Sequence, residues 1–567
     1  MDSILTNRLR ICEIRAWQAE PWRAALHIAF FLLCLRFQIA AVRSAGSDLG
    51  PVLILIASGF GLGAWNPWAA LFSFTVAVPL LNGLSQTSLL NFAFPPSVVF
   101  SALWMGIAVK NLLKKSMTYY SSRILGTVGQ PPFLSKATDD ERNGEQSKPR
   151  RSLVPAKPGR LPFHLYFPTL VIYILITAVL LSLACQLWRH RDAAELWPVF
   201  FSRAVLGYGD PWYFLTSAFL WLQGLFFFRV LYTSSQEQWT ESLNPKVVGI
   251  AIVHWLRPVF AVYSVTMAVF LLFQFIFQIP ERWVGAGFQA PYEDISSYGS
   301  IAVAVFIFAV ATRYATPWYK LAVNILGCVC LLLMVVASWS RGTWLAGSLF
   351  LLLIAAIRLP RLYTTALILI FIVAVVVINA NAGRPSWVNQ PYLSRLVALA
   401  RLENPTNKDA GRLNLYKKAA RMIHHRPLVG DGIGSFYLTS VNYASPNDPY
   451  GAAPDFAHNV FLQIAAEEGV PISTLFAGLI GATLWCGFRC WLRQRAEETK
   501  YSAGALLILG ATLALGAYLQ TQMTANSLNV YVSNQFFFWF LMAALLAISK
   551  HEWDRATRPK TLAQILS

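Results

Sequence analysis

The sequence predicts an all-α polytopic integral membrane protein with about 14 (12–14) transmembrane helices and one long periplasmic loop. Hydrophobic residues make up 56% of the 567-residue chain and charged residues only 13%, whereas about 25% of a soluble domain is charged. Apolar runs of about 17–25 residues, the length that crosses a bilayer, recur along most of the chain. The runs are continuous instead of alternating, so the pattern is not that of a membrane β-barrel.

Each apolar run is taken as one predicted transmembrane helix. Several runs are short for a bilayer, so the predicted number of spans ranges from 12 to 14. In chain order the helices lie near 24–42, 50–64, 67–83, 95–113, 163–187, 212–232, 256–278, 298–312, 318–338, 344–358, 362–379, 459–490, 502–522 and 533–549. No internal repeat is visible, which argues against a solenoid of stacked units.

These helices and the segments between them divide the chain into regions. The linker at 114–161 is polar, basic and rich in Pro, and we predict that it is disordered. The regions are an N-terminal tail with the first four helices (1–113), the linker (114–161), the central membrane helices (162–379), the periplasmic loop with an amphipathic helix (380–457), the C-terminal membrane helices (458–549) and a cytoplasmic tail (550–567).

The orientation follows from Lys and Arg in the short connections, because these residues concentrate on the cytoplasmic side of membrane proteins. With the N-terminus inside, most of them lie on the side of both termini, and the loop 380–457 lies outside. The first 23 residues lack a small-residue cleavage site, so they are predicted to be a cytoplasmic tail. The net charge of +19 therefore fits a membrane topology and does not require a nucleic-acid partner.

Within the outside loop, RLNLYKKAARMIHHRPLVG (412–430) has the pattern of an amphipathic helix that Pro427 ends. Its apolar face is predicted to consist of Leu413, Tyr416, Ala420 and Ile423. We expect this helix to lie on the membrane surface. Arg412 at its start is suited to a diphosphate, because a planar guanidinium can bind two oxygens at once and stays charged.

The stretch APDFAHNVFLQIAAEEGVP (453–471) is very polar for a segment that leads into a membrane helix. Pro454 and Asp455 are typical of a helix start, which places His458 in or near the first turn. A polar stripe follows at helical spacing, made of Asn459, Gln463 and Glu467. Gly469 and Pro471 are predicted to break the helix before the apolar run. A His at this boundary can accept a proton, and a helix cap with ordinary packing polarity explains the pattern equally well.

Arg341, in ASWSRGTWLAG (337–347), occupies a very short outside turn between two predicted spans. One interpretation is a fixed cation for a lipid-linked anion, and the other is an interfacial anchor beside Trp339 and Trp344. Two Arg and a His on the outer face could hold a lipid diphosphate and take a proton from an acceptor hydroxyl. Moving a sugar off a lipid diphosphate requires both of these actions.

Three segments carry a resemblance to a known family: SRGTWLA at 340–346, GRLNLYKKAARMIHHRPLVGDGIGSF at 411–436 and HNVFLQIAAEEGVP at 458–471. In this order and on the predicted outer side, they resemble the O-antigen ligase and O-antigen polymerase superfamily of bacterial envelope glycosyltransferases. The resemblance covers roughly residues 300–490, and the earlier part of the chain is similar only as a set of membrane helices. The basic segment 114–161 departs from the family pattern.

The resemblance implies a role for each matching residue. His458 resembles the His that activates the acceptor, and Arg341 and Arg412 resemble the two Arg that bind the diphosphate of the donor. The residues expected to support this geometry are Ser340, Asn459 and Glu468. The implied reaction is metal-independent and needs no cofactor, and the seven scattered Cys show no metal-finger spacing. The implied location is the bacterial inner membrane, with both termini cytoplasmic and the site facing the periplasm.

The implied function is transfer of an oligo- or polysaccharide from undecaprenyl diphosphate to an acceptor. A lipid A core acceptor, as in the ligases, is slightly favoured by the HN…EEG segment, and a second lipid-linked glycan, as in the polymerases, is the alternative. The expected partners are therefore the lipid-linked glycan, the acceptor glycan or lipid A core, and membrane lipid. A transporter of a small anion or lipid-linked sugar is the competing class, although no pair of interrupted helices occupies matching positions in two halves.

Overall fold

The structure is a computed structural model of the 567-residue chain. It describes residues 49–65, 102–103, 105–110, 113, 163–192, 211–241, 295–312, 321–337, 340–381, 407–445, 454–497, 503–524, 528 and 532–557. Every regular element within these ranges is a helix, as the predicted all-α class requires. The helices predicted near 24–42, 67–83 and 256–278, together with the linker 114–161, lie outside the described residues.

Thirteen α-helices are described, and most coincide with an apolar run of the sequence. In chain order they are α1 (Leu49–Trp65), α2 (Phe163–Arg189), α3 (Tyr213–Glu241), α4 (Ile295–Thr312), α5 (Leu321–Ala337), α6 (Arg341–Arg358), α7 (Arg361–Asn381), α8 (Asn407–His425), α9 (Phe436–Thr439), α10 (Val460–Glu468), α11 (Val470–Glu497), α12 (Ala503–Gln522) and α13 (Val532–Thr557). The 3-10 turn Ser440–Tyr443 follows α9 directly.

Five of the described helices are long and apolar enough to cross a membrane. The five segments are Pro168–Arg189, Tyr213–Tyr232, Arg341–Arg358, Val470–Arg495 and Ala505–Gln522. Three shorter apolar segments lie in α4, α7 and α13. A polytopic membrane protein is therefore supported, and the total of about 14 spans stays a prediction.

The centre of the bundle is formed by α3 and α12, whose candidate spans are each 83% buried, against 33% for those of α2 and α6. Aromatic side chains fill this centre. Trp539 of α13 lies edge-on to Trp221 of α3 at 6.3 Å between ring centroids, and Phe227 stacks on Phe536 at 5.1 Å. The apolar side chains that α2 and α6 leave exposed are the kind that lipid covers in a membrane.

The bundle has two ends with different chemistry. At one end, Arg358 of α6 donates a hydrogen bond to the carbonyl of Ala311 in α4, and Cys490 of α11 donates to Ser549 of α13 at 3.4 Å. At the other end, the beginning of α6 packs on the residues after α12, where Gly342 lies against Thr524. Among the described residues, Arg358, Arg361 and Arg489 thus share the first end, and Arg341 lies at the second.

The helix predicted over 459–490 is interrupted where Gly469 and Pro471 predicted a break. α10 ends at Glu468, and α11 begins at Val470. Gly469 between them has φ +90°, a conformation that side chains with a Cβ rarely adopt. The break lets the amide of Val470 donate a 2.8 Å hydrogen bond to the carbonyl of Pro427, so the loop before α9 is attached at this point.

The start of α10 differs from the prediction that Pro454 and Asp455 begin the helix. Asn459 is the N-cap, and its side-chain oxygen accepts from the amides of Phe461 and Leu462 at 3.0 and 3.1 Å. Asn is among the preferred N-cap residues, because its side-chain oxygen satisfies the first free amides of a helix. The helix therefore begins at Val460 and not at Pro454 or Asp455. His458 therefore lies before the helix and not in its first turn.

The amphipathic helix α8 also differs in two respects from its prediction. It begins at Asn407, so Arg412 lies in the second turn instead of opening the helix. The face packed on the protein consists of Leu415, Lys418, Ala419 and Met422, whereas Leu413 is 54% exposed. Ala419 and Met422 pack with Phe436, Ala457 and Ala466, partners that are distant in the sequence and cannot be read from the helical pattern. Contact of α8 with the membrane surface stays a prediction.

Candidate functional site

Ser340 and Arg341 stand at the beginning of α6, at the second end of the bundle. The Ser340 hydroxyl caps the helix by accepting from the amide of Thr343 at 3.4 Å. Arg341 is the first residue of the helix and is partly exposed. The aligned peptide dipoles of a helix give its beginning a partial positive charge, which adds to the charge of the guanidinium. An anion near this position would be attracted both by the helix dipole and by the guanidinium of Arg341.

The short segment Met523–Thr524, which follows α12, connects three of the predicted site segments. Thr524 lies so close to Gly342 that a Cβ on the glycine would collide with its hydroxyl. The carbonyl of Met523 accepts from the hydroxyl of Tyr416 in α8 and from the side-chain amide of Asn459, each at 3.4 Å. The beginnings of α6 and α10 and the middle of α8 therefore meet at this segment.

His458 is paired with a carboxylate. Its Nε2 lies 3.3 Å from Oδ2 of Asp455, and the side chains are 30% and 48% exposed. The other oxygen of Asp455 accepts from the amide of Phe456 at 2.8 Å. His458 has φ +49°, a left-handed conformation that is uncommon for a residue with a Cβ. Such conformations are kept where the surroundings determine them, and they often occur at functional sites.

Arg412 belongs to the same group by charge. Burial acts to raise the pKa of Asp455, but the hydrogen bond and charge of His458, the amide of Phe456 and the charge of Arg412 outweigh it, so this pKa lies below its ordinary value. Arg412 also acts on the Tyr416 hydroxyl one helical turn away, where burial raises the pKa more than the Arg charge lowers it. A carboxylate that stays ionised beside a His and an Arg can orient both side chains.

The turn PLVGDGIGSF (427–436) is held against α10 by Glu467, which is 4% exposed. The Glu467 carboxylate accepts from the amides of Gly434 and Phe436 at 3.0 and 3.2 Å, and from the Gln463 side chain at 3.0 Å. Burial raises its pKa to about 7, although these three hydrogen bonds act in the opposite direction. Glu467 of the predicted polar stripe thus attaches the turn, and Gln463 supports Glu467 while its side-chain oxygen accepts from the amide of Ala457 at 3.3 Å.

The same turn is attached to α2 through Asp431. The carbonyl of Asp431 accepts from the side chains of Gln186 and Arg189 at 2.9 and 2.7 Å. Its carboxylate forms an ion pair with Arg426 at 3.2 Å and accepts from the Tyr443 hydroxyl at 3.0 Å. The turn therefore bridges α2 and α10, and it fixes the last turn of α8, the helix that carries Arg412 nearer its beginning.

Glu468, predicted to support the site, faces α2 and not the cluster of His458 and the two Arg. It is 8% exposed, and the Ser182 hydroxyl is its hydrogen-bond partner. Burial raises its pKa to about 8, the Ser182 hydrogen bond opposes this, and the charge of Glu467 adds to it. Its Oε1 has no hydrogen-bond partner among the residues that the structure describes. We therefore expect Glu468 to be mostly neutral at pH 7.

Three of the six predicted site residues, His458, Arg412 and Asn459, have contacts or electrostatic interactions that join them at one end of the bundle. Ser340 and Arg341 lie at the same end, beside Gly342, which contacts Thr524. Sequence reasoning missed three contributors: Asp455, Tyr416 and the segment Met523–Thr524. The spacing of Asp455 and His458, three residues apart, is the signal that could have found Asp455.

Within the described ranges, no group of three or more His, Cys, Asp or Glu could hold a metal ion. The prediction of a metal-independent reaction stays a prediction.

Comparison with known proteins identifies one matching family. Residues 326–477 match a family model described as O-Antigen ligase. The match includes Ser340, Arg341, Arg412, His458 and Asn459, and it supports the superfamily that the motifs predicted. It also supports an enzyme of the general kind of the membrane glycosyltransferases that act on lipid-linked glycans. No curated protein gave a significant match.

Proposed function

We propose that the protein transfers an oligo- or polysaccharide from undecaprenyl diphosphate to the lipid A core at the periplasmic face of the bacterial inner membrane. The observation that carries this proposal is that the parts of the chain carrying Arg341, Arg412 and His458 all adjoin the segment Met523–Thr524, and that all three residues lie inside the region that matches the O-antigen ligase family. Among the described residues, Arg358, Arg361 and Arg489, which belong to short connections or helix ends, lie at the opposite end. That distribution supports a site on the periplasmic side with both termini in the cytoplasm.

The two Arg are proposed to bind the diphosphate of the donor. Arg341 lies at the beginning of α6, where the helix dipole also attracts an anion. Arg412 is carried by α8, whose buried face packs beside α10. Guanidinium groups from two directions would neutralise the negative charge that grows on the diphosphate as its bond to the sugar breaks. Neither Arg needs to change its protonation state for this role.

His458 is proposed to act on the acceptor. An acceptor hydroxyl oxygen forms a bond to the anomeric carbon of the donor sugar while the bond from that carbon to the diphosphate oxygen breaks. The electron pair of the broken bond leaves with undecaprenyl diphosphate, and His458 takes the proton of the acceptor hydroxyl. A single displacement from the side opposite the leaving group inverts the configuration at the sugar.

The proposal is tested by transfer in a purified system. The protein in detergent is mixed with an undecaprenyl-diphosphate glycan and either lipid A core or a second lipid-linked glycan, with and without EDTA, and products are separated on a gel. We expect wild type to transfer glycan to lipid A core in EDTA. His458→Ala should lower the rate by at least about 10²-fold, since acid–base groups contribute about 10²–10⁴-fold. Arg341→Ala should lower it by about 10²–10³-fold, the cost of removing one group that stabilises the developing charge.

Arg361→Ala serves as the control, because Arg361 is an exposed Arg at the beginning of α7, close to the other end of the bundle. Arg361→Ala should transfer at the wild-type rate.

Products extended only on the lipid-linked glycan would identify a polymerase with the same chemistry. Normal transfer by folded His458→Ala and Arg341→Ala would remove these residues from the reaction. No transfer to either acceptor by wild type would favour transport, which an uptake assay in vesicles would then examine.

A further inference from the structure

We propose that Asp455 is a positioning residue which keeps the Nε2 proton of neutral His458 in place, so that Nδ1 is the atom that takes the proton of the acceptor. This deepens the proposed function and rests on it, since it assigns the machinery that prepares His458 as a base. It also gives Arg412 a second task, as the counterion that keeps the Asp455 carboxylate in position.

The assignment of the proton follows from the contact between the two side chains. An ionised carboxylate has no proton to donate and can only accept hydrogen bonds. Nε2 of His458 lies 3.3 Å from Oδ2 of Asp455, so it must be the nitrogen that carries hydrogen when the ring is neutral. The lone pair of the neutral ring is then on Nδ1. His458 thus has one nitrogen engaged by the protein and the other available as a proton acceptor.

The backbone geometry supports a built arrangement. Asp455 and His458 are separated by only two residues, and the left-handed conformation of His458 turns the chain just before α10. Hydrogen bonds hold both sides of this turn: the amide of Phe456 donates to Asp455, and the side chain of Asn459 caps α10. An uncommon conformation fixed by two sets of hydrogen bonds places the carboxylate against the ring without a long flexible connection.

The charged and titratable groups around the pair come from several elements. Arg412 acts on it from α8, where its charge favours the ionised form of Asp455, and Tyr416 lies one turn from Arg412 with its hydroxyl on the Met523 carbonyl. From α10, Glu467 and Glu468 face the turn 427–436 and α2 instead. Arg341 lies at the beginning of α6, next to Gly342, which contacts Thr524 of the segment after α12. Among the described residues, Arg412 is therefore the cation that the pair shares with the proposed diphosphate site.

The carboxylate stabilises the charged ring that forms during transfer. When the acceptor proton reaches Nδ1, His458 becomes an imidazolium with hydrogen on both nitrogens, and the negative charge of Asp455 favours this form. Asp455 keeps its own charge and does not take the proton. Asp455→Asn keeps the size and a hydrogen-bonding oxygen but removes the charge, and Asp455→Glu keeps the charge with a longer side chain.

The test measures the reactivity of His458 directly, so it does not depend on activity. Diethyl pyrocarbonate modifies neutral imidazole, and the rate of modification at His458 is measured at about pH 7 by mass spectrometry of digested protein. We expect His458 to be modified at least about twofold faster in Asp455→Asn than in wild type, because a hydrogen bond to an ionised carboxylate is roughly twice as strong as one to a neutral oxygen and holds the ring in place. Asp455→Glu should stay near wild type. The exposed His424 in the same digest is the internal control, and its modification rate should not change.

The same three proteins are then compared in the transfer assay. Asp455→Asn should lower kcat at least about tenfold and leave KM for the donor nearly unchanged. A modification rate of His458 in Asp455→Asn equal to that in wild type overturns the inference, whether or not transfer is seen. If wild type is inactive in transfer but His458 is still modified faster in Asp455→Asn, the pairing is retained and the proposed function is overturned.

Discussion

At the scale of single residues, the adjacent Glu467 and Glu468 show how position alone separates two identical side chains. Glu467 accepts three hydrogen bonds, two of them from the backbone of the turn 427–436. Glu468 faces Ser182, and its Oε1 is without a partner among the described residues. Replacing a carboxylate by an amide therefore has opposite consequences at the two positions.

We predict that Glu467→Gln loosens the turn and that Glu468→Gln does not. In Glu467→Gln the new side-chain amide nitrogen would face a backbone amide. Because both groups donate hydrogen, no hydrogen bond forms between them, and the free energy of opening the turn should fall by about 1–3 kcal/mol. Hydrogen exchange of the peptide containing Gly434 and Phe436, followed by mass spectrometry at pH 7, measures this opening. Equal exchange in both variants would show that Glu467 does not hold the turn.

The raised pKa of Glu468 also predicts a dependence of stability on pH. Because its folded pKa of about 8 exceeds the ordinary 4.5, the folded protein binds more protons between these values than the unfolded chain does. The stability that neutral Glu468 contributes is thus present at low pH and is lost as the pH rises through about 8. The midpoint of thermal unfolding in detergent should fall less steeply with rising pH over this interval in Glu468→Gln than in wild type. A decline as steep as in wild type would contradict the assignment.

At the scale of elements, the interruption between α10 and α11 is the feature that creates the site. It ends α10 at the level where the turn 427–436 attaches, and it leaves the beginning of α10 directed at the segment after α12. Gly469 makes the interruption possible through its φ of +90° and because its Cα lies against the Leu428 carbonyl, where a Cβ would collide. A continuous helix over 460–497 would neither end where the turn 427–436 attaches nor direct its beginning at the segment after α12.

Gly469→Ala should therefore destabilise the protein by about 1–3 kcal/mol, the cost of holding a residue with a Cβ in a strained conformation. Gly481→Ala is the matched control, since Gly481 lies inside α11 with no atom within 4 Å of an added Cβ. The control should be neutral or stabilise α11 by about 0.5–1 kcal/mol. The midpoint of thermal unfolding in detergent compares the two, and similar midpoints would mean that the interruption does not depend on Gly469.

At the scale of the whole molecule, the helices that the structure describes coincide with the apolar runs of the sequence. This is expected, because a bilayer requires a continuous apolar segment that satisfies its own backbone hydrogen bonds. Arg341, Arg412, His458 and Asn459 could likewise be found from short motifs. Their shared position on the outer side followed from the predicted topology, and the role of each residue entered through the family resemblance.

The contacts that assemble the site could not be predicted, because they join residues far apart in the chain. The Met523 carbonyl binds Asn459 across 64 positions and Tyr416 across 107. The buried face of α8 depends in the same way on partners in α9 and α10. The pairing of Asp455 with His458 is local, but it requires a left-handed residue that the pattern of a helix start did not suggest.

The central claim is that these separate segments form one site for a lipid diphosphate. It is tested most directly with an undecaprenyl diphosphate that carries a photoreactive group beside the diphosphate. After irradiation of the purified protein, the modified peptides are identified by mass spectrometry, with unlabelled undecaprenyl diphosphate as competitor and the Arg341→Ala, Arg412→Ala double variant as control.

We predict adducts in peptides that contain Arg341, Arg412 and the segment Met523–Thr524, reduced by the competitor and by the double variant. The physical reason is that the guanidinium groups supply the charge that holds the diphosphate at this end of the bundle. Competed adducts near Arg358 at the opposite end, equally strong in the double variant, would contradict the account.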